Sequence, residues 1–196
     1  MQVSVILAHP NAQSFNHAIA QAVLAELTRR GHQIVFHDLY AEKFDPALPA
    51  SELRKKASLP PAVALHCREI SCADGIIIIH PNWWGQPPAI LKGWIDRVIR
   101  PGVAYQFAEG DPGEGIPVGL LNVKAVLVFN TSNTSAEREA NVFGDPLETL
   151  WKNCVFGLCG IEAVYREVFS VMVTSSPEQR QAWLKRVREV VGQHLP

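Results

Sequence analysis

Short apolar runs alternate with helical repeats along the chain, and the clearest case lies near its middle. Residues 76–79 are an unbroken run of isoleucine, which is typical of a strand buried on both faces of a parallel sheet. Residues 90–98 place apolar side chains at helical spacing, and Pro88 suits the first turn of that helix. Two adjacent tryptophans, Trp83 and Trp84, fall in the loop between this strand and this helix.

The same alternation of strand and helix occurs five times. Strands are predicted at 3–8, 33–37, 76–79, 123–129 and 163–173, and helices at about 15–30, 62–73, 90–98 and 146–158 and after residue 176. Ser14 is a suitable N-cap for the first helix and Gly31 a suitable stop, while Ser176 begins a capping box. The pattern predicts an α/β fold of one domain over 1–196: a three-layer sandwich around a five-stranded parallel sheet of the flavodoxin-like order 2-1-3-4-5.

Two stretches interrupt this alternation. Prolines punctuate residues 38–59, so we expect an irregular excursion on the surface there. Residues 101–122 are rich in glycine and proline, and we expect a long loop. Loops of this length in a compact domain usually have a function.

The composition bears on the expected binding partners and on the expected cellular compartment. A net charge of -1 gives no reason to expect nucleic acid or an anionic membrane as a partner. The chain begins on an apolar strand without a basic leader, and no apolar run approaches the ~20 residues that span a bilayer. We therefore expect a soluble, cytoplasmic protein.

The cysteines and histidines do not form a recognised metal or redox motif. The four cysteines fall into two pairs, each spaced by five residues, which matches neither CxxC nor a zinc ribbon. The seven histidines show no HxxxH or HExxH pairing. We expect ordinary reduced thiols and no metal site.

Three polar loops follow the first, third and fourth predicted strands, at 9–16, 81–85 and 130–135. In a doubly wound parallel sheet, such loops converge on one crevice. The first loop ends at a helix N-terminus, whose free N–H groups suit an anion such as a phosphate, and Ser14, Asn16 and His9 offer further donors. Taken alone, Ser14 is more simply explained as a helix cap, since Ser is common at that position. No GxGxxG or P-loop motif is present.

The second loop adds aromatic surface to this crevice. Trp83 and Trp84 could pack on a planar heterocycle, although packing in the core or in a dimer explains them equally well. The third loop is rich in hydroxyl and amide groups and would form a polar wall. A phosphate site, an aromatic wall and a polar wall together suit a flavin mononucleotide.

Several of these motifs resemble one family. The segment Pro-Ala-Ile-Leu-Lys-Gly-Trp at 88–94, preceded by Pro81 and the two tryptophans, closely resembles the signature of the NAD(P)H:quinone oxidoreductase family, also called the flavodoxin-2 family. Residues 8–10 and 14–16 are similar to the flavin-phosphate loop of that family. Tyr105 and Phe107 resemble the aromatic pair that its members place over the flavin of the partner subunit.

The resemblance implies a homodimer with flavin at the interface, FMN or alternatively FAD. It implies ping-pong hydride transfer from NAD(P)H to the flavin and then two-electron transfer to a quinone or similar acceptor. It also implies that Tyr105 and Phe107 face the substrate and the partner subunit. The cofactor-binding residues implied are His9, Ser14, Phe15, Asn16, Pro81, Asn82, Trp83, Trp84, Asn130, Thr131, Ser132 and Asn133.

The third loop departs from the family pattern. Animal members carry a Thr-Thr-Gly-Gly run there, followed by a Tyr and a His that are assigned to a proton relay. Here Ser132 and Asn133 replace the glycines, and Phe143 stands near the His position. Glu137 or Arg138 could substitute for the relay, but charged residues in such a loop are more often merely solvated, so no catalytic residue is assigned.

Two other functions are compatible with the predicted fold. A flavodoxin-type electron carrier would be expected to be strongly acidic, which the net charge of -1 does not support. A regulatory, ancillary subunit of a potassium-efflux system, with a membrane channel as its partner, is left open by the sequence.

Overall fold

The computed structural model describes residues 1–54, 57–108, 110, 115 and 117–196. Its strands are β1 (Gln2–Leu7), β2 (Gln33–Asp38), β3 (Gly75–Pro81), β4 (Tyr105–Gln106), β5 (Val118–Gly119), β6 (Ala125–Thr131) and β7 (Val164–Phe169). Five of them form a parallel sheet in the order β2-β1-β3-β6-β7. When these five strands are numbered 1 to 5 along the chain, their order in the sheet is 2-1-3-4-5. The predicted flavodoxin-like topology is therefore confirmed.

Helices cover both faces of this sheet. They are α1 (Phe15–Arg29), α2 (Pro61–Ser71), α3 (Ala89–Val98), α4 (Ala136–Phe143), α5 (Pro146–Thr149) and α6 (Pro177–His194), with a π-helical segment at Leu150–Gly157. One buried apolar cluster joins the sheet to α1 and α6, and the other joins it to α2, α3 and the π-helical segment. The molecule is therefore a three-layer sandwich.

The central strand β3 is buried at every position, as the isoleucine run predicts. Ile77 and Ile79 belong to the cluster under α1 and α6, while Ile76 and Ile78 belong to the cluster on the opposite face. Because side chains alternate between the two faces of a strand, this run supplies both cores at once. The strand thereby fixes the position of the loop that follows it.

The predicted helix caps are present. Ser14 Oγ accepts a hydrogen bond from the backbone N–H of His17, and Ser176 accepts one from Gln179. Gly31 follows α1 with φ of +76°, a left-handed conformation that glycine adopts without strain. Pro88 is the N-cap of α3 rather than a residue of its first turn.

Three parts of the secondary structure differ from the prediction. Helix α4 was not predicted, because it has only eight residues and most of them are polar, as in a surface loop. The helix expected at 146–158 is α5 followed by the π-helical segment, and it is separated from α4 by Gly144 and Asp145, which both have positive φ. The last strand ends at Phe169 rather than at 173, and a 3₁₀ turn follows at Met172–Thr174.

The irregular segment 38–59 packs on helix α3. A 3₁₀ turn lies at Ala50–Leu53, and Glu52 within it forms a buried ion pair with Arg97 of α3. A Cβ atom at Gly93 would collide with the backbone of Pro46, so only glycine permits this close approach. In the segment 101–122, β4 and β5 form a small antiparallel ribbon, and part of the predicted loop lies outside the described residues.

All four cysteines are free thiols in the structure. Cys67 and Cys159 are buried, and burial raises the pKa of both, that of Cys159 to about 11. Cys72 and Cys154 are exposed. Within the described part of the chain, none of the helices combines the length and the apolar character needed to cross a bilayer.

Candidate active site

A cavity of about 700 Å³ lies at the carboxyl ends of β1, β3 and β6. The three loops that follow these strands meet there, which is the place predicted for them. All of the predicted cofactor-binding residues except Asn130 line this cavity: His9, Ser14, Phe15, Asn16, Pro81, Asn82, Trp83, Trp84, Thr131, Ser132 and Asn133. Its size is in the range usual for small-molecule sites.

The first loop brings the N-terminus of α1 to the cavity. Ser14 both caps this helix and lines the cavity, so its two predicted roles do not exclude each other. The Asn16 side chain is buried, and its Nδ2 donates to Thr131 Oγ1 at 3.0 Å. Asn16 Oδ1 is buried without a partner among the described residues. A buried acceptor without a partner is costly, so a bound molecule that donates a hydrogen bond here would be stabilised.

The second loop contains a tight turn. Trp83 and Gln86 exchange two backbone hydrogen bonds of 3.0 Å, and the two residues between them, Trp84 and Gly85, have φ of +58° and +70°. Positive φ at both central positions is the type I′ geometry. The turn leaves the Trp84 side chain fully exposed and places the half-exposed Trp83 ring 6.0 Å from the ring of His9.

Asn82 connects this turn to helix α4. Its Oδ1 accepts from the backbone N–H of Gly85 at 2.9 Å, and its Nδ2 donates to Glu139 Oε1 at 3.0 Å. Glu139 is buried and lines the cavity, together with Phe143 from the end of the same helix. The sequence analysis missed Glu139 because α4 was not predicted. The available signal was Ser135, a typical N-cap residue, followed four positions later by the acidic Glu139.

The two weak catalytic candidates lie elsewhere on the same helix. Glu137 and Arg138 are exposed, and neither belongs to the cavity lining. The guanidinium carbon of Arg138 lies 5.4 Å from the centre of the Phe143 ring. Of the three consecutive charged residues on α4, the structure thus brings only Glu139 to the cavity.

The third loop lies between the cavity and β7. Ser132 Oγ accepts from the backbone N–H of Thr134, and Asn133 Oδ1 accepts from Val173, each at 3.0 Å. Asn130 is buried behind the cavity, where its Oδ1 accepts from Arg166 Nε at 2.8 Å. Its side chain therefore supports the wall from behind instead of lining it.

Arg166 of β7 is almost fully buried and holds the turn after α4. Its Nη1 lies 2.8 Å from Asp145 Oδ2 and 3.1 Å from Glu148 Oε2. Pro146, which follows Asp145, lines the cavity. The ion pairs of Arg166 explain why a charged residue interrupts the apolar pattern of the last strand.

Two histidines near the cavity are held in their neutral form. Burial lowers the pKa of His9, and the neighbouring His17 lowers it further, while a hydrogen bond to Asn11 acts in the opposite direction. Burial lowers the pKa of His80 to about 4. His80 Nδ1 donates to the carbonyl of Pro81 at 2.8 Å, and its Nε2 accepts from the Trp151 indole at 3.1 Å. The sequence analysis did not identify His80, which anchors Pro81 in the cavity wall.

The predicted aromatic pair lies away from this cavity. The rings of Tyr105 and Phe107 pack edge to face with their centres 5.9 Å apart, and Phe107 is exposed. Neither residue is part of the cavity lining in its own chain.

A second cluster of potential ligands lies outside the cavity. Nitrogen or oxygen atoms of His37, Glu42 and His66 all come within 4.8 Å of one another. The Trp94 indole donates to His66 Nδ1 at 2.9 Å, so the neutral His66 ring carries its proton on Nε2, which faces Glu42 at 3.3 Å. Burial lowers the pKa of His66 to about 4. Hydrogen bonds thus account for this geometry, and the absence of a metal site stays a prediction.

Comparisons with known proteins agree with the fold. A family model described as a flavodoxin-like fold, Flavodoxin_2, matches residues 1–195. A Haemophilus influenzae protein named as an uncharacterized NAD(P)H oxidoreductase is 34% identical over 186 residues, which is 92% of this chain and 89% of that protein. The rat NAD(P)H dehydrogenase [quinone] 1 is 27% identical over 213 residues, 95% of this chain and 76% of that protein.

A solved structure of similar shape is that of an NAD(P)H:quinone oxidoreductase from Methanothermobacter marburgensis. It has a TM-score of 0.83 and 27% sequence identity, and the match covers 100% of this chain and 99% of that one. The agreement extends over the full sheet and both helical layers. The chain therefore belongs to the flavodoxin-2 family, which is also called the NAD(P)H:quinone oxidoreductase family.

Proposed function

We propose that this protein is a flavin-dependent NAD(P)H oxidoreductase that reduces quinones or similar acceptors. The observation that carries the proposal is the convergence of three loops on one cavity, with a helix N-terminus in one wall and tryptophans at its mouth. The relatives named as NAD(P)H oxidoreductases and quinone dehydrogenases support the same activity.

The residues of the cavity fit a flavin. The free backbone N–H groups at the start of α1 and the Ser14 hydroxyl suit its phosphate. The unpaired Oδ1 of Asn16 would accept from a hydroxyl of its ribityl chain. Trp83 and Pro81 offer apolar surface to the ring system. We propose FMN, with FAD as the alternative, because the helix N-terminus provides a place for one phosphate group.

A bound flavin would supply two-electron chemistry between NAD(P)H and the acceptor, in a ping-pong order, and the residues of the cavity wall would hold it. The role of the protein chain would be to bind the flavin and to orient it. The hydrogen bonds from Asn82 to Glu139 and from His80 to Pro81 hold the loop after β3 in one conformation. The Trp83 ring and Phe143 add apolar surface to the sides of the cavity. A cavity of fixed shape favours hydride transfer because the surrounding dipoles need little reorganisation during the reaction.

We also propose that two copies associate and that Tyr105 and Phe107 of one copy cover the cavity of the other. Phe107 and the β5 residue Val118 are exposed apolar side chains on the ribbon, and Trp84 is fully exposed at the cavity mouth. Covering such side chains by a second copy would remove apolar surface from water. Sedimentation equilibrium tests this, with a monomer at micromolar concentration as the contrary result.

The decisive experiment is anaerobic spectroscopy of the purified protein after incubation with FMN or FAD. The proposal expects a bound flavin whose visible absorption is bleached by NADH or NADPH and restored by a quinone. Chromatography of the released cofactor then distinguishes FMN from FAD. A protein that retains neither flavin, or whose flavin is not bleached by either nucleotide, would contradict the proposed function.

A further inference from the structure

Three side chains connect the cavity to the end of strand β2. Ser14 Oγ lies 3.0 Å from His17 Nδ1, and His17 Nε2 lies 3.1 Å from Asp38 Oδ2. Ser14 lines the cavity, His17 lies in the first turn of α1, and Asp38 is the last residue of β2. The proposed chemistry does not use His17 or Asp38.

The partners of His17 determine where its proton lies. The Asp38 carboxylate only accepts hydrogen bonds, and its Oδ1 already accepts from the backbone N–H groups of Tyr40 and Ala41. His17 Nε2 therefore carries a proton. In the neutral ring Nδ1 is then an acceptor, and the hydroxyl of Ser14 must donate to it. The hydrogen of this hydroxyl is thus directed at His17 and away from any molecule in the cavity.

Protonation of His17 reverses this hydrogen bond. Nδ1–H then donates to Ser14 Oγ, which also accepts from the backbone N–H of His17 at 3.3 Å. A hydroxyl has two lone pairs and one hydrogen, so both lone pairs are now used and the hydrogen is free to point into the cavity. The ring also gains a positive charge at the N-terminus of α1, where the helix dipole already favours an anion.

We propose that His17, held by Asp38 and acting through Ser14, positions the phosphate group of a bound flavin and takes up one proton when that phosphate binds. This inference rests on the proposed function. His17 is a positioning residue, since it acts on the phosphate through the Ser14 hydroxyl.

A second observation places a ligand at this helix N-terminus. Asn16, two residues beyond Ser14, is 2% exposed and lines the cavity, yet its Oδ1 has no partner within the described part of the chain. A molecule that reaches the first turn of α1 would supply the hydrogen-bond donor that this oxygen lacks.

Two titratable groups face His17 among the described residues. Asp38 approaches from β2, and the ring of His9 approaches from the preceding loop with its centre 6.4 Å away. Burial lowers the pKa of His9, so this ring stays neutral at pH 7 and adds no competing positive charge. Asp38 is the carboxylate in contact with the ring, its Oδ2 lying 3.1 Å from His17 Nε2.

The expected signature is proton uptake that depends on the phosphate. Isothermal titration calorimetry at pH 8 in two buffers of different ionisation enthalpy should show uptake of about one proton with FMN and none with riboflavin, which has the same ring system without phosphate. The phosphate itself is fully ionised there because its second pKa is about 6. The dissociation constant of FMN should rise with pH by up to about tenfold per pH unit over this range, and that of riboflavin should not.

Two variants test the chain of hydrogen bonds. His17→Asn places an amide near the Nδ1 position, where it can donate to Ser14 at any pH, so FMN should bind without proton uptake. Asp38→Asn can donate to Nε2, which forces the neutral His17 ring to carry its proton on Nδ1 and should also abolish uptake. His32→Gln is the matched control: His32 follows the far end of α1, contacts the Leu195 carbonyl, and should leave the uptake unchanged.

The results separate this inference from the proposed function. Proton uptake with FMN that persists in His17→Asn, or equal uptake with FMN and riboflavin, would overturn the role of His17 while flavin binding stands. Failure of the wild-type protein to bind either flavin would overturn the proposed function and, with it, this inference.

Discussion

The indole N–H of Trp94 donates to Nδ1 of His66 at 2.9 Å, and both side chains are buried where α3 packs on α2. Trp151 makes the equivalent contact with Nε2 of His80, between the π-helical segment and β3. An indole N–H can only donate, so each tryptophan fixes which nitrogen of its histidine is unprotonated. Both contacts thereby tie a helical layer to its neighbour through one directed hydrogen bond.

Replacing Trp94 by Phe should leave Nδ1 of His66 buried and unpaired. The free energy of unfolding should fall by about 1–3 kcal/mol for the unpaired nitrogen, with a further loss for the space left by the smaller ring. Urea titration measures this. Trp183→Phe on α6, where the ring packs on Phe15 and Phe169, keeps its ring contacts and should cost less. Equal losses in the two variants would contradict the importance of the hydrogen bond.

Acid should destabilise the protein in the window set by the buried histidines. Burial lowers the folded-state pKa of His66 and of His80 from 6.5 to about 4. Between these values the unfolded chain binds more protons than the folded chain, so the free energy of unfolding falls as pH falls from about 6.5 to 4 and is unaffected by these rings above that range. Each ring contributes up to about 3 kcal/mol.

Urea titrations at several pH values between 7 and 4.5 check this dependence. His80→Gln keeps an acceptor for the Trp151 indole but does not titrate, so its loss of stability on acidification should be smaller than that of the wild type. A wild-type stability that does not change over this window would show that the rings titrate normally in the folded state.

The motif at 88–94 resembles the family signature and allowed the family to be predicted, but the structure gives most of it a packing role. Gly93 permits the approach of Pro46, Trp94 bonds His66, and the nearby Arg97 pairs with Glu52. The β-branched runs were sufficient to predict the sheet because burial on both faces imposes that composition. The helix that carries Glu139 is short and mostly polar, and the contact of Glu139 with Asn82 spans 57 residues, so the sequence did not place this side chain in the cavity wall.

Gly93→Ala should separate α3 from the segment that contains Pro46. The added Cβ meets backbone atoms, which cannot rotate away as a side chain would. Overpacking of this kind costs about 1–3 kcal/mol or more. Lys92→Ala, one residue earlier on the exposed face, should change the free energy of unfolding by less than about 0.5 kcal/mol. A Gly93 variant as stable as the Lys92 variant would exclude this close contact.

Gly85→Ala should disturb the cavity wall specifically. The residue has φ of +70°, and a Cβ there would lie 2.7 Å from Cγ of Pro146. Gly31 has nearly the same φ, +76°, but its Cβ would meet no atom within 4 Å. Gly31→Ala therefore reports backbone strain alone, about 1 kcal/mol. Calorimetric titration with FMN should show weaker binding to the Gly85 variant and wild-type affinity for the Gly31 variant.

Glu139→Gln should raise the reduction potential of the bound flavin. The amide can still accept the hydrogen bond from Asn82, but the negative charge in the cavity wall is gone. Reduction adds negative charge to the bound molecule, so removing a nearby carboxylate makes reduction easier. Glu137→Gln, on the exposed side of α4, is the control and should have little effect. Equal potentials in the wild type and the Glu139 variant, measured by redox titration with dyes, would contradict this.

Four of the five tryptophans of the chain form two pairs with contrasting exposure to water. Trp94 and Trp151 are almost inaccessible to water, while Trp83 is 41% exposed and Trp84 is fully exposed at the cavity mouth. A collisional quencher such as iodide therefore reaches the emission of the second pair and not that of the first. A molecule or a second subunit that covers the mouth would shield that pair, so the protein carries a built-in optical reporter of whether its cavity is occupied.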